Sequence, residues 1–153
     1  MTIDVEVEAM AWSQTLPGAE ALARTAAQTA LEGSEAADEV TILLADDLAV
    51  QELNARFRGK DAPTNVLSFP APPSAAPHLG DVALAYGVCA REAEAQGKPL
   101  ADHLQHLVVH GVLHLLGFDH ESDDDAEEME GLERTVLARL GVGDPYAAER
   151  AGA

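Results

Sequence analysis

Apolar and polar residues alternate at the amino terminus, with Ile3, Val5 and Val7 set against Asp4, Glu6 and Glu8, which is the period-two pattern of a half-buried strand. Pro17 and Gly18 interrupt the chain. An alanine-rich run from Ala19 to Leu31, with Leu22, Ala26 and Ala30 on one side, then predicts a helix stopped by Gly33. The short β-branched run Val40–Leu44 (VTILL) predicts a second strand. Asp46 or Asp47 can cap the next helix, whose apolar positions Val50, Leu53 and Phe57 keep helical spacing up to Gly59. Thr64–Phe69 (TNVLSF) predicts a third strand. Four prolines in the eight positions Pro70–Pro77 predict an extended loop, since nothing there can continue a central strand. Leu79–Tyr86 predicts a fourth strand, followed by a helix from about Gly87 to Gln96. Gly97, Lys98 and Pro99 break the chain before a helix of about fifteen residues that ends at Gly117. The last helix, Asp123–Leu140, is acidic at its start, as the macrodipole favours, and apolar at Met129, Leu132, Val136 and Leu140. The tail after about Gly141 is expected to fray.

No internal repeat is visible, and the strands do not alternate strictly with the helices. The expected fold is therefore one α+β domain over residues 1–153, a small mixed sheet of about four strands packed with about five helices, rather than a doubly wound sheet. At 153 residues and 47% apolar composition, such a domain can bury a core without a metal or a disulfide. The single Cys89 cannot form an internal disulfide, and the start MTIDVEVEAM lacks the basic end and apolar run of a secretory signal. No apolar run approaches the roughly 20 residues of a membrane helix. A soluble cytoplasmic protein with no membrane partner is expected.

The net charge of −18 repels phosphate backbones at long range, so composition alone argues against nucleic acid. The distribution changes that picture. Arg56, Arg58 and Lys60 place three of the nine basic residues within five positions, while Glu121–Glu133 holds eight acids and no base.

The segment HGVLHLLGFDH, His110–His120, carries the chemistry. His110 and His114 lie four apart, on one face of a helix and about 6 Å apart along its axis, so they can grip one ion. Gly117 can take positive φ at the helix end, turn the chain and return His120 to the same point. Three imidazoles with one open position make the ligand set of a zincin-like catalytic zinc. The competing reading packs these histidines in the core among Leu107, Leu113 and Leu116, but H-x3-H-x5-H with a glycine at the bend favours the metal. His106 lies too far along the axis to share an ion with His114, so His103 and His106 are expected to face substrate or the surface. The spacing equals that of the metzincin peptidases, yet Gly111 stands where their glutamate base would be, which disfavours peptide hydrolysis. Asp119 can orient the third histidine, act as fourth ligand or base, or simply bond backbone amides in a turn.

With Gly111 in place, HGVLHLLGFDH resembles the signature of the YbeY family of endoribonucleases, or rRNA maturation factors. RGKDAPTNVLSFP (Arg58–Pro70) resembles that family's Arg-containing turn and following strand. Leu79, Gly80 and Asp81 resemble its L-G-D element, and Met129 with Glu133 its final helix. The likeness runs over roughly residues 40–140, with little from the first forty. Phe118 stands where that family also uses tyrosine. The resemblance implies a zinc-dependent, single-strand-specific endoribonuclease of the bacterial cytoplasm, with one Zn²⁺ per chain. Its role would be in maturing the 3′ end of 16S ribosomal RNA and in quality control of the small ribosomal subunit. It implies His110, His114 and His120 as metal ligands and Arg58 as the functional arginine.

On this reading Arg58 offers a planar fork to phosphate, and Arg56, Arg58 and Lys60 are the candidate RNA contacts. The plainer role of these cations is to complement the dipole at a helix end. The attacking group is either water or the RNA 2′-hydroxyl. Two alternatives remain: a non-catalytic ribosome-assembly factor with a structural zinc, and a zinc metallopeptidase weakened by Gly111.

Overall fold

The alternating amino terminus forms strand β1 (Thr2–Val7), and the VTILL run forms β2 (Glu39–Ala45), parallel to it. A computed structural model of the chain describes residues 2–32 and 39–146, so the helix stop expected at Gly33 lies outside the described residues. The remaining strands are β3 (Val66–Pro70) and β4 (His78–Ala85). β4 runs parallel to β2, and β3 closes the sheet antiparallel to β4, giving the order β1-β2-β4-β3. The α+β fold with a four-stranded mixed sheet is as expected, and β3 is an edge strand.

Six helices, not about five, occur among the described residues: α1 (Met10–Thr15), α2 (Ala19–Leu31), α3 (Asp47–Arg58), α4 (Tyr86–Ala95), α5 (Leu100–Leu115) and α6 (Asp123–Arg139). The unexpected α1 is too short to show a period. It is held by Trp12, whose fully buried indole N–H donates to the Ala45 carbonyl at 2.9 Å and whose ring meets Tyr86 edge-on. The proline-rich segment is not extended throughout, because Pro73–Ala75 forms a 3₁₀ turn that the fixed φ of proline permits.

The sheet buries both faces. On one, Ile42, Leu44, Val82 and Leu84 pack with apolar residues of α2, α5 and α6. On the other, Ala45, Ala83 and Ala85 make a smaller core with Leu67 and with Val50 of α3. Burial on two sides explains why β2 and β4 read as continuous apolar runs. Phe57, expected on the apolar stripe of α3, is instead 61% exposed, because the last turn of the helix has left that small core.

Both candidate capping aspartates are used, on different helices. Asp46 caps α3 by accepting from the Ala49 amide at 2.8 Å. Asp47 accepts from the Val88 amide at 3.0 Å in the first turn of α4 and pairs with Arg91. At the other end of the chain, part of the tail expected to fray is packed. The Val142 amide donates to the Leu137 carbonyl at 2.9 Å, and the Tyr146 hydroxyl bonds Glu133. Residues 147–153 lie outside the described residues. No helix among the described residues is long and apolar enough to cross a membrane.

Gly80 in β4 has φ +148, and a Cβ there would lie 2.2 Å from the Phe69 carbonyl oxygen and 2.8 Å from Leu115 Cδ2. Gly80→Ala therefore combines backbone strain with overpacking. It is expected to destabilise the protein by roughly 2–4 kcal/mol in a urea unfolding titration. A loss below a few tenths would show that β4 relaxes freely at this point.

Candidate metal centre

α5 carries two of the three histidines and packs on the sheet through a glycine. A Cβ at Gly111 would lie 2.6 Å from Val82 Cγ1 and 3.2 Å from Ser68 Oγ, so the helix backbone rests directly on the strands there. The helix ends with the Gly117 amide donating to the His114 carbonyl and the Phe118 amide to the Leu113 carbonyl, and Gly117 takes φ +102. The reversal returns His120 to the other two. His110 Nε2 and His114 Nε2 are 3.1 Å apart, and one ligand nitrogen from each of the three histidines lies within 4.8 Å of the others. His110 and His114 are half-buried and His120 is exposed, so the cluster has a closed side and an open side.

The closed side is organised by Glu133 of α6, which is fully buried. His110 Nδ1 bonds Glu133 Oε1 at 2.5 Å, which leaves Nε2 to face the other histidines. Glu133 Oε2 accepts from the Tyr146 hydroxyl and lies 3.5 Å from His106 Nε2. Burial by itself pushes the Glu133 carboxyl up. The bonds from His106, His110 and Tyr146 outweigh it and hold the group at about 2, so it stays ionised. Burial, and then the neighbouring His110 and His120, lower the pKa of His114 and favour the neutral imidazole that a metal requires.

The open side is a cleft of about 700 Å³. Its walls include the end of α3, with Arg58, the loop that follows, with Lys60, and strand β3, with Val66 and Ser68, while the three histidines and Asp119 also line it. Buried Asn54 shapes the loop by donating to the Ala62 carbonyl at 2.8 Å. Arg58 donates to the Ser68 carbonyl at 2.7 Å, and the Ser68 hydroxyl donates to the Gly111 carbonyl at 3.0 Å, so α3, β3 and α5 are linked across the cleft. Arg58 is also the last residue of α3, before Gly59 at φ +69, and thus complements the helix dipole as well.

Other sequence candidates fall elsewhere. Arg56 does not line the cleft; its guanidinium lies over the Phe57 ring, 5.5 Å from the centroid. Asp119 lines the cleft but accepts from the Glu121 amide at 3.3 Å, the turn role, and is not one of the three converging ligands. His103 and His106 stand apart from the three-histidine cluster and line a second cavity. His103 is buried against Glu92 at 2.9 Å, and His106 is turned towards Glu133 and Tyr146.

Spacing did not reveal Glu133 as the partner of His110, although a signal was present. It lies four residues after Met129 and three before Val136, an acid on the apolar stripe of its helix. Tyr146 gave no such signal.

A family model described as Endoribonuclease YbeY matches residues 6–141, so the likeness extends through the first two helices. An Endoribonuclease YbeY from Paramagnetospirillum magneticum is 53% identical over 155 residues, covering 94% of this chain and 94% of that protein. Another from Maricaulis maris is 53% identical over 154 residues, covering 98% of this chain and 94% of that one. The solution structure of a Thermotoga maritima protein superposes with a TM-score of 0.56 over 91% of each chain at 24% identity, a likeness of fold.

The packing of Gly111 gives a test of the site's architecture. Gly111→Glu places its side chain against Val82 and Ser68 rather than over the histidines. The variant is expected to lose roughly 1–3 kcal/mol of stability by thermal or chemical unfolding and to gain no peptide cleavage. A stable variant with new peptidase activity would show that position 111 can reach the cluster.

Proposed function

The chain belongs to the YbeY endoribonuclease family, and from that premise we propose that it is a zinc-dependent hydrolase of phosphodiester bonds in single-stranded ribosomal RNA. We assign it to maturation of the 16S RNA 3′ end and quality control of the small ribosomal subunit in the cytoplasm. The observation that carries this reading is the convergence of three imidazole nitrogens within 4.8 Å on a cleft also lined by Arg58 and Lys60.

The donor set fits one zinc ion per chain. Tetrahedral bonds of about 2.0–2.1 Å place nitrogen ligands roughly 3.3 Å apart, and the His110–His114 pair already stands at 3.1 Å. His110, His114 and His120 would hold the ion, with the remaining position open to the cleft. Zinc so held supplies a Lewis acid and an acidified water. Glu133 keeps His110 in the tautomer that presents Nε2. Arg58 spends one N–H on the Ser68 carbonyl, and its remaining donors suit two phosphate oxygens at once and steady the charge that develops on them. Asp119, next to His120 in sequence, is the carboxylate we assign to orienting that histidine or moving a proton. Lys60 adds charge to the wall, which counters the repulsion of an otherwise acidic molecule. Gly111 disfavours the peptidase alternative, since this position faces the sheet.

Metal analysis of the purified protein is expected to give about one zinc per chain. His110→Ala, His114→Ala and His120→Ala should each lose it or bind it far more weakly, and metal removal should increase amide exchange over residues 110–120. Near-full occupancy in all three variants would remove the assigned site.

Arg58→Ala is expected to retain zinc but cleave single-stranded RNA about a hundredfold more slowly or worse, the scale for removing a donor to developing charge. Arg58→Lys should restore only part of the rate, because it keeps the charge and loses the fork. Lys60→Ala should mainly weaken binding and flatten its salt dependence. Wild-type cleavage rates in Arg58→Ala would reduce Arg58 to a helix-end cation. A wild-type protein inert toward RNA yet bound to ribosomal particles would support the assembly-factor role instead.

A further inference from the structure

Among the described residues three large apolar side chains are strongly exposed, Met10, Leu48 and Phe57. A single exposed apolar side chain needs no explanation. Phe57 differs from the other two in what surrounds it. It is adjacent in sequence to Arg58, which lines the cleft, and its ring meets that of Phe69 edge-on, with centroids 5.5 Å apart and planes at 65°. Phe69 in turn lies between Ser68 and Pro70, which also line the cleft. The Arg58–Ser68 hydrogen bond and the Phe57–Phe69 contact are therefore neighbouring links between the end of α3 and β3. Strand alternation turns Phe69 to the α3 face of β3, opposite the Ser68 hydroxyl that meets α5, so the Phe57 ring stands across the strand edge from the cleft that Arg58 lines. Its orientation is supported from the side by Phe69 and by the Arg56 guanidinium, 5.5 Å from its centroid, while 61% of the residue stays open.

The basic residues around it are clustered, with three of the nine within the five positions 56–60. Arg24, Arg91 and Arg139 each pair with an acid, at Glu20, Asp47 and Glu32. Among the described residues Arg56, Arg58 and Lys60 make no ion pair, as Lys98 and Arg134 also do not, but only these three unpaired cations lie together. An open, propped aromatic ring among unpaired cations is the combination that binds single-stranded nucleic acid, because every base has a π-face and each phosphate a charge.

We propose that Phe57 is a stacking platform for one nucleobase of a single-stranded RNA, on the stretch of strand that lies just outside the cleft while Arg58 holds a phosphate within it. This rests on the nuclease reading and adds to it a base-binding subsite. Arg56 has a role here that its absence from the cleft did not suggest: its guanidinium supports the ring and meets the backbone beside it. Because stacking reads no hydrogen-bonding edge, the subsite tolerates any base and requires only that the nucleotide be unpaired.

The zinc-loaded protein can be tested with two fluorescently labelled single-stranded DNA oligomers, which a ribonuclease does not cut: oligodeoxyadenylate, and the same backbone without bases. Phe57→Ala is expected to bind the adenine oligomer about tenfold more weakly with an unchanged salt slope, and to bind the abasic oligomer as the wild type does. Phe57→Trp should keep or tighten adenine binding, and Leu48→Ala, an equally exposed apolar residue on the same helix, should change neither. Equal adenine binding by Phe57→Ala and the wild type, or an equal loss on both oligomers, overturns the stacking assignment. RNA cleavage by the wild type, measured in parallel, separates the failures. With cleavage intact, a negative result removes only the platform; if the wild type neither binds nor cleaves RNA, platform and nuclease reading fall together.

Discussion

The arrangement depends first on how closely α5 lies against the sheet. Gly111 on the helix and Gly80 on β4 both occupy places where a methyl group would collide, the first with Val82, the second with the Phe69 carbonyl and Leu115. Two glycines thus set the separation between helix and sheet, and packing at that distance leaves the flanking residues little choice of direction. His110 precedes Gly111 and His114 follows it by three, so the separation that suits Val82 also sets how far both imidazoles stand from β3. Ser68 converts this proximity into a bond by donating to the Gly111 carbonyl, and Arg58 extends the link to α3 through the Ser68 carbonyl.

A second constraint comes from the opposite side. A fully buried carboxylate is costly to keep ionised unless its oxygens are satisfied, and Glu133 has His110 on one oxygen with Tyr146 and His106 at the other. The arrangement ties α6 and the segment around Tyr146 to α5 at the histidine cluster. Since a half-satisfied polar network is worse than an apolar one, the pieces stabilise one another only as a set. The ionised form needs the histidine and the tyrosine, and the orientation of the histidine needs the ionised form.

Much of this was readable in the chain. The strands announced themselves by alternation or by β-branched runs, and α5 and the three-histidine cluster by spacing, because period and spacing are local properties that tertiary packing has only to accept. What was not readable depends on contacts distant in sequence. Helix α1 is fixed by a bond from Trp12 to Ala45, 33 positions away, and is too short to show a period of its own. Phe57 keeps the helical spacing of a core residue, yet it meets the edge strand through Phe69 and stays 61% exposed. Asp47 looks like a cap for its own helix and serves α4 instead. Glu133 is one of eight acids between Glu121 and Glu133, so its placement on an apolar stripe was hidden by the acidity around it. His103 and His106 were expected to face substrate or the surface, and what spacing could not show is that each also turns to a glutamate that only the fold brings near.

β3 is the last strand of the sheet, and an unpaired strand edge invites another chain to add to it. Because Asn65, Leu67, Phe69 and Ala71 direct their backbone groups toward β4, Val66, Ser68 and Pro70 direct theirs outward. That outward row is largely spoken for. The Val66 amide is held by the side chain of Asn65, the Ser68 carbonyl by Arg58, and Pro70 has no N–H to offer. The residues that furnish the cleft wall therefore also guard the molecule against its own aggregation: an incoming strand would find a broken ladder and a guanidinium in its path.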